Sequence, residues 1–566
     1  MRFILLTFAV FAVFAPFART LAATYYVDFD AGSDAAAGTS TGTAWKSIPG
    51  TRTTTDTGYR QSAWGSITSA ARIADGDIIK LKGGTVHTND YGGHVWLTGA
   101  SGGFYDFGYT TGIVIETDTG WGTGNAVLDG RGMTVGIALV LSQIDGVTFR
   151  GLTIQECQEV GLQIKEKGGA SPPCTNIVIG SCTFIGNGRG LTNDLAGSGK
   201  GQISVRRAQN LTITNCFLNG DTNFINGVLL GNNGWAVNNG WVANNRVINH
   251  RGDLAGNDSG IGFKTLNSAV TFTNCISTNN LKGWDCGEQS APGNWNVTVI
   301  DSVAGWNAWG INFNNSFAGT VNYYAINNLV FSNSVNGFNC YAGPFNLHII
   351  HNTVWGNGSG AAGTAGNIRV NNDNPDRTVI AARILNNNFF KPSGASENFY
   401  NHYFKQNVDS DYLSMECDYN SWVQTASEAF ATWAGSEGAP DTTTYSYGAN
   451  GPGKASGNWY SWYSYSTTPP TNGATGHFQS DANSKGTGAT DTTSPPFTSI
   501  ATQDATLTAS YVGTSLSGKS WYTSNMGRDR AGIARTTWDI GAYEFNTAIT
   551  TTARLGTGKA VGVGRR

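Results

Sequence analysis

Charge is scarce in this chain: Asp, Glu, Lys and Arg make up 13% of its 566 residues, and they nearly cancel to −3. Without a basic excess there is no electrostatic face for a phosphate backbone, so a nucleic-acid partner is not expected. Eight cysteines are too few over this length for a disulfide scaffold, although an oxidising setting would permit a bridge or two. Beyond the N-terminus no run approaches the ~20 apolar residues of a membrane span, so none is expected. The Leu/Glu/Lys/Ala periodicity of helices is also nearly missing.

What is present is glycine, 76 residues of it, with abundant Asn and Thr and 17 Trp. That mixture favours β-strands joined by Gly/Asn turns. The first 23 residues read as a secretory leader: Arg2, an apolar run from Phe3 to Phe14, and a small-residue cleavage site at Leu21-Ala22-Ala23. A secreted chain, extracellular or periplasmic, is the expectation.

Aligning the chain on itself exposes a repeat. GVTFRGLTI, NIVIGSCTF, NLTITNCFL, GWVANNRVI, AVTFTNCIS, NVTVIDSVA, NYYAINNLV, NLHIIHNTV and ARILNNNFF share one pattern, with Gly151, Ser181, Asn215, Asn245, Asn274, Asp301, Asn328, Asn352 and Asn387 as matching positions. The steps between them are about 24 to 35 residues, the range of solenoid units. Period-2 alternation inside each unit marks strands, and each strand would pair with its copy one turn later. The predicted fold is all-β, a single-stranded right-handed parallel β-helix, and a monomer is expected. Residues 24–110 would form the entry and cap, 111–390 the regular coils, 391–546 the last coils with Ser/Thr/Tyr-rich loops, and 547–566 a loose tail. The recurring asparagines would bond up and down the stack as a ladder. Cys182, Cys216 and Cys275 follow the ladder position and share one inward column, as small buried packing or, less economically, a metal site. Cys182 and Cys216 lie on adjacent coils at a spacing compatible with a disulfide, which leaves both redox states open.

The second strand of each unit aligns on its glycine: GLQIK, GQISVR, GVLLG, GFKTL, GWDCG, GINFN, GFNCY and GNIRVN. Strand alternation sends Gln163, Ser204, Leu229, Lys264, Asp285, Asn312, Asn339 and Arg369 outward in one solvent-facing column. At ~4.8 Å per coil, Lys264 to Arg369 would span roughly 19 Å, room for several sugar rings. Asp285, Asn312, Asn339, Arg369 and Arg206, with Trp306 and Trp309 in nearby turns, are the expected substrate contacts. Indole faces and amides suit the C–H faces and hydroxyls of a pyranose.

Three segments carry a resemblance. The opening TYYVD and AGSD with GTSTGTAWKSI, and the closing GRDRAGIARTTWDIGAYEF, resemble the terminal segments of secreted bacterial β-helix proteins. GIGFKT followed by NCISTNNLKGWD is similar to a motif of the family-nine pectate lyases. That resemblance implies a lyase acting on an acidic, uronate-containing polysaccharide, with Lys264 as Brønsted base and Arg251 assisting. The base would remove the proton beside a uronate carboxylate, and the glycosidic oxygen would leave. A neutral amine is required, so desolvation or neighbouring cations must act on it, whereas Asp285 beside it favours the ammonium. The resemblance also implies Ca²⁺, for which Asp285, Glu288, Asp253 and Asp258 are the candidate ligands. The coil before Lys264 departs from the family, with Leu229 and Gly231 where acidic ligands are expected, so Arg251 or Arg206 could neutralise the carboxylate instead. A non-catalytic glycan-binding or adhesive β-helix is the alternative, with a two-carboxylate glycoside hydrolase behind it.

Overall fold

The computed structural model describes residues 22–424 apart from 50–74, 89–94, 99–110, 132–136, 143, 166–171, 191–199, 232–234, 251, 253–258, 289–294, 316–320, 342–344, 359–364, 372–378, 392–398, 406–414 and 419, and beyond them only short strands between 429 and 507. Past Phe389 the only side chain described is that of Asn420. The leader up to residue 21 and the tail therefore lie outside the described residues. Among those described, the helical content is one 3-10 turn at Thr41–Thr43, and no helix is long and apolar enough to cross a membrane.

Each coil contributes three short strands, one to each of three long sheets. The coil Asp145–Arg150, Leu152–Gln155, Val160–Lys165 is followed by Cys174–Gly180, Thr183–Ile185, Gly201–Val205, and the succession continues strand on strand. Pairing is parallel through the stack, with an antiparallel strand, Thr442–Ser446, ending one sheet. This is the parallel β-helix expected. The interior is a single apolar column in which Phe263, Phe272 and Trp284 pack ring on ring, Phe263 stacking on Trp284 with centroids 5.0 Å apart.

The corner after the first strand of each coil corrects the ladder alignment by one residue. Ser181, Asn215, Asn244, Asn274, Asp301, Asn327, His351 and Asn386 occupy the corner itself, with φ between 49° and 57°. Asparagine tolerates that left-handed conformation better than other residues with a Cβ, which is why it recurs. The inward ladder is the next position: Cys182, Cys216, Asn245, Cys275, Ser302, Asn328, Asn352, Asn387 and Asn420. Sequence alignment merged the two columns because both are rich in asparagine.

In the inward ladder each side chain accepts from the backbone N–H one coil before it. Asn245 takes the Cys216 N–H at 2.8 Å, Asn328 that of Ser302 at 3.0 Å, and Asn352 that of Asn328 at 2.9 Å. Asn352 also donates its Nδ2 to the Ala325 and Ile350 carbonyls at 2.9 and 3.1 Å and to Asn387 Oδ1 at 2.9 Å. Replacing Asn352 with alanine orphans buried groups on three coils. The expected cost is about 3 kcal/mol, read as a lower urea midpoint, whereas Asn346→Ala on the half-buried rim should change it little. Equal midpoints for the two variants would remove the ladder's energetic role.

A second ladder, unforeseen in the sequence, lines the corner before the glycine-led strand. Asn280, Asn307 and Asn333 accept the backbone N–H groups of His250, Asn280 and Asn307 at 2.9 to 3.0 Å, and Asn357 and Asn367 continue the series. Its signal was the Asn that closes FIGN, STNN, AGWN, VFSN and VWGN before each turn.

Candidate functional site

The glycine-led strands form the second sheet, and their register is the expected one. Gln163 pairs with Ser204, Ser204 with Leu229, Leu229 with Lys264, Lys264 with Asp285, Asp285 with Asn312, Asn312 with Asn339, and Asn339 with Arg369. Their sequence neighbours Phe263, Trp284, Cys286, Ile311, Phe313, Phe338 and Cys340 belong to the core, so the column occupies the opposite face of the sheet.

The expectation of a solvated stripe is overturned. Lys264 is 1% exposed, Asp285 7%, Asn312 4% and Asn339 9%, while Arg369 and Arg206 are half-buried. Strand alternation fixes which face a side chain takes, but not whether that face meets water. Lys264 is among the largest fully buried side chains of the molecule. A charged group at that depth requires compensation.

Compensation runs along the column. Lys282, at the start of the strand Lys282–Glu288, places its Nζ 2.8 Å from Asp285 Oδ2. On the next coil, Asn312 donates its Nδ2 to Asp285 Oδ1, and Asn339 donates its Nδ2 to Asn312 Oδ1. The result is a one-way chain of donors converging on the carboxylate. Burial alone would raise the Asp285 pKa. The Lys282 and Lys264 charges and the Lys282 and Asn312 hydrogen bonds outweigh it and hold the carboxyl below its ordinary value. At the far end, Asn339 Oδ1 is buried and accepts from no donor among the described residues.

Lys282 was not singled out as a site residue in the sequence, although its i,i+3 spacing to Asp285 was the available clue. Its Nζ also lies 5.8 Å from the centroid of the Trp309 ring, on the strand partner one coil on. Trp306 stands at the corner three residues earlier, 51% exposed and in a left-handed conformation (φ 55°), with its ring edge-on to Phe331 at 4.8 Å. That conformation is rare for an aromatic residue, and it presents the indole to solvent.

The structure therefore brings Lys264, Asp285, Asn312, Asn339, Arg369 and Trp309 together, with Lys282 added. Arg206 immediately follows the strand Gly201–Val205, which pairs two coils before the Lys264 strand. Arg251, Asp253 and Asp258 lie outside the described residues, and of Glu288 only the backbone is described.

Calcium does not fit the described part of this site. A hard cation takes six to eight oxygens, several of them carboxylate. Asp285 spends one oxygen on an ammonium and the other on an amide, and Lys264 is its neighbour in register. Among the described residues no group of three or more His, Cys, Asp or Glu side chains could hold a metal. In this structure Asp285 is the ion-pair partner of Lys282. The inward cysteines likewise form no metal cluster. All seven described are buried, and none is bridged in this structure.

No protein-family profile and no curated protein sequence matches the chain. Similar solved structures include the pectate lyase Pel9A, at 16% identity and a TM-score of 0.38, over 93% of this chain and 97% of that one. The A-module of the mannuronan C-5 epimerase AlgE6 from Azotobacter vinelandii is 14% identical, with a TM-score of 0.43, over 67% and 93% of the two chains. A rhamnogalacturonan lyase is 13% identical, with a TM-score of 0.38, over 70% and 87%. The strand pairing described above, and not these overlaps, establishes the fold.

Proposed function

We propose that this chain is an exported polysaccharide lyase that cleaves a uronate-containing, pectate-like polysaccharide by β-elimination, with Lys264 as the base. The observation that carries the reading is the buried Lys264 on the outer face of the second sheet, inside the GFK motif and beside a carboxylate already pinned by a second lysine. A desolvated setting is what an amine base requires in general. Because Asp285 is committed to Lys282 and Asn312, it holds the charge around Lys264 in place and does not compete for the substrate proton.

The reaction balances on these groups. In its neutral amine form, Lys264 Nζ takes the proton from the carbon beside the uronate carboxylate and becomes the ammonium. The electron pair left behind forms the ring double bond, and the glycosidic oxygen on the neighbouring carbon departs with the C–O pair and takes up a proton from water. Negative charge builds on the carboxylate during this step, and Lys282, with Arg369 and Arg206 further along the stripe, supplies fixed positive charge on the same face. Asn339 Oδ1 is an acceptor suited to a sugar hydroxyl, and Trp306 and Trp309 offer ring faces. Lys264 is covered in this structure, so the reading requires that substrate displace its cover.

The test mixes the purified protein with pectate, alginate and other uronates and follows the ultraviolet absorbance of an unsaturated uronide. Its appearance supports the reading. Reducing sugar without that absorbance indicates a hydrolase, and binding without either product indicates the adhesive alternative, which the neutral Asn312 and Asn339 would also suit. Since the described residues do not fit calcium, the initial rate with saturating EDTA should stay within about twofold of the untreated rate. Loss of activity on chelation, restored by Ca²⁺, would sink the metal-free form of the proposal.

A further inference from the structure

The inward ladder changes chemistry at one end. From Asn245 onward it is mostly amides, but its first members are Cys182 and Cys216. These two residues sit on adjacent coils in the same register: Gly180 pairs with Thr214 just before them and Thr183 with Phe217 just after them. The Phe217 N–H donates to the Cys182 carbonyl at 3.0 Å, which locks the two backbones side by side. Their sulfurs converge as well. Cys182 Sγ lies 3.3 Å from the Gly180 carbonyl oxygen and Cys216 Sγ 3.6 Å from that of Ile179, one residue away. Each side chain is 2% exposed. Parallel neighbours stand ~4.8 Å apart, within the Cα separation that a disulfide accepts.

We infer that Cys182 and Cys216 are a disulfide-forming pair, a covalent rung that replaces the asparagine clamp on these two coils. The partner reaction is thiol–disulfide exchange with a dithiol–disulfide carrier. One thiolate attacks the carrier's disulfide and expels a carrier thiolate, giving a mixed disulfide. The second thiolate then attacks the chain's own sulfur in that mixed disulfide and releases the reduced carrier. Two protons leave the chain's thiols and two electrons reduce the carrier. The Cys216 S–H donates to the Cys182 sulfur, and that hydrogen bond favours the Cys182 thiolate over burial, which opposes it; Cys216 is pushed up. Since both are buried once the coils stack, exchange takes place as this end of the solenoid folds.

The same column supplies an internal contrast. Cys275 has Asn245 on the coil before it and Ser302 on the coil after, to whose Oγ its N–H donates at 3.1 Å, so it has no thiol neighbour in the ladder. The inference does not depend on the proposed lyase activity and holds or fails separately.

The full-length chain, produced by export into an oxidising compartment and acid-quenched, is unfolded and its thiols are titrated. The expected count is six per chain, against the eight cysteines of the sequence. Removing one cysteine should then raise the count: Cys182→Ser should titrate as seven, because Cys216 is freed, while Cys275→Ser should fall to five. Peptide mapping without reduction should recover one cross-linked species joining the segments around 182 and 216. Eight thiols in the wild type, seven in both variants, or a map in which both cysteines are alkylated would overturn the pairing. The wild-type map decides even where a variant fails to fold.

Discussion

Replacing Lys264 with alanine should lower the rate of unsaturated-uronide formation by about a thousandfold or more, the scale of losing a general base in a rate-limiting proton abstraction. The fold should survive, because Asp285 keeps its ion pair with Lys282 and its amide from Asn312. Binding of the polysaccharide should persist, so the loss falls on kcat and not on KM. Lys264→Arg is the sharper variant. It preserves charge and most of the volume, but a guanidinium stays protonated and cannot accept the proton, so it should be as inactive as alanine. Activity retained in Lys264→Arg would remove Lys264 as the base and leave it as a buried counter-charge to Asp285. A lysine whose removal unfolded the protein without a specific kinetic effect would point the same way, and far-ultraviolet circular dichroism separates that outcome.

The fold was legible because a solenoid writes its geometry into the sequence at each turn. Strand periodicity and the recurring Gly placed Lys264, Asp285, Asn312, Asn339 and Arg369 in one column, and the strand pairing reproduces that column residue for residue. Register is local information, repeated on every coil. Burial of the outer face is not local, since it depends on what the connecting segments do. The same limit applies to Lys282, whose partner is settled by its position at a strand end. The ladder slip of one residue has another origin. Left-handed corners and inward amide rungs both select asparagine, one for backbone conformation and the other for hydrogen bonding, so composition cannot separate adjacent columns that obey different rules.

Acid should unlock this solenoid well above the ordinary carboxylate range, because three histidines are held in the neutral form by burial, His87 among them with its pKa lowered to about 4. His250 takes an asparagine's place in the second ladder. Gln202 Oε1 accepts from Asn187 Nδ2 at 2.8 Å, which leaves Gln202 Nε2 to donate to His250 Nε2 at 3.0 Å, and His250 Nδ1 donates to Asn280 Oδ1 at 3.1 Å. A second ring proton would face a donor. Burial depresses the His250 pKa to about 4, the Asn280 bond only partly opposing it. His348 lies on the outer face of the first sheet, stacked on Tyr324 at 4.6 Å and paired in register with Arg383, and burial with the Arg383 charge lowers its pKa to about 3. All three folded-state values lie below the unfolded value of about 6.5, so the unfolded chain binds more protons and stability falls as pH drops through that window. The loss is about 1.4 kcal/mol per pH unit for each ring, hence on the order of 7 kcal/mol for the three between pH 6.5 and 4.5. Asp285 adds little there, because its depressed pKa takes its contribution away only at lower pH. The urea midpoint should accordingly drop steeply from pH 7.5 to 4.5. His250→Asn, which restores the residue type found at 280, 307 and 333, should recover about a third of that drop while leaving the pH 7.5 midpoint nearly unchanged. A wild-type midpoint indifferent to pH, or a variant that keeps the full acid sensitivity, would mean that protonated His250 finds an acceptor that the neutral network does not use.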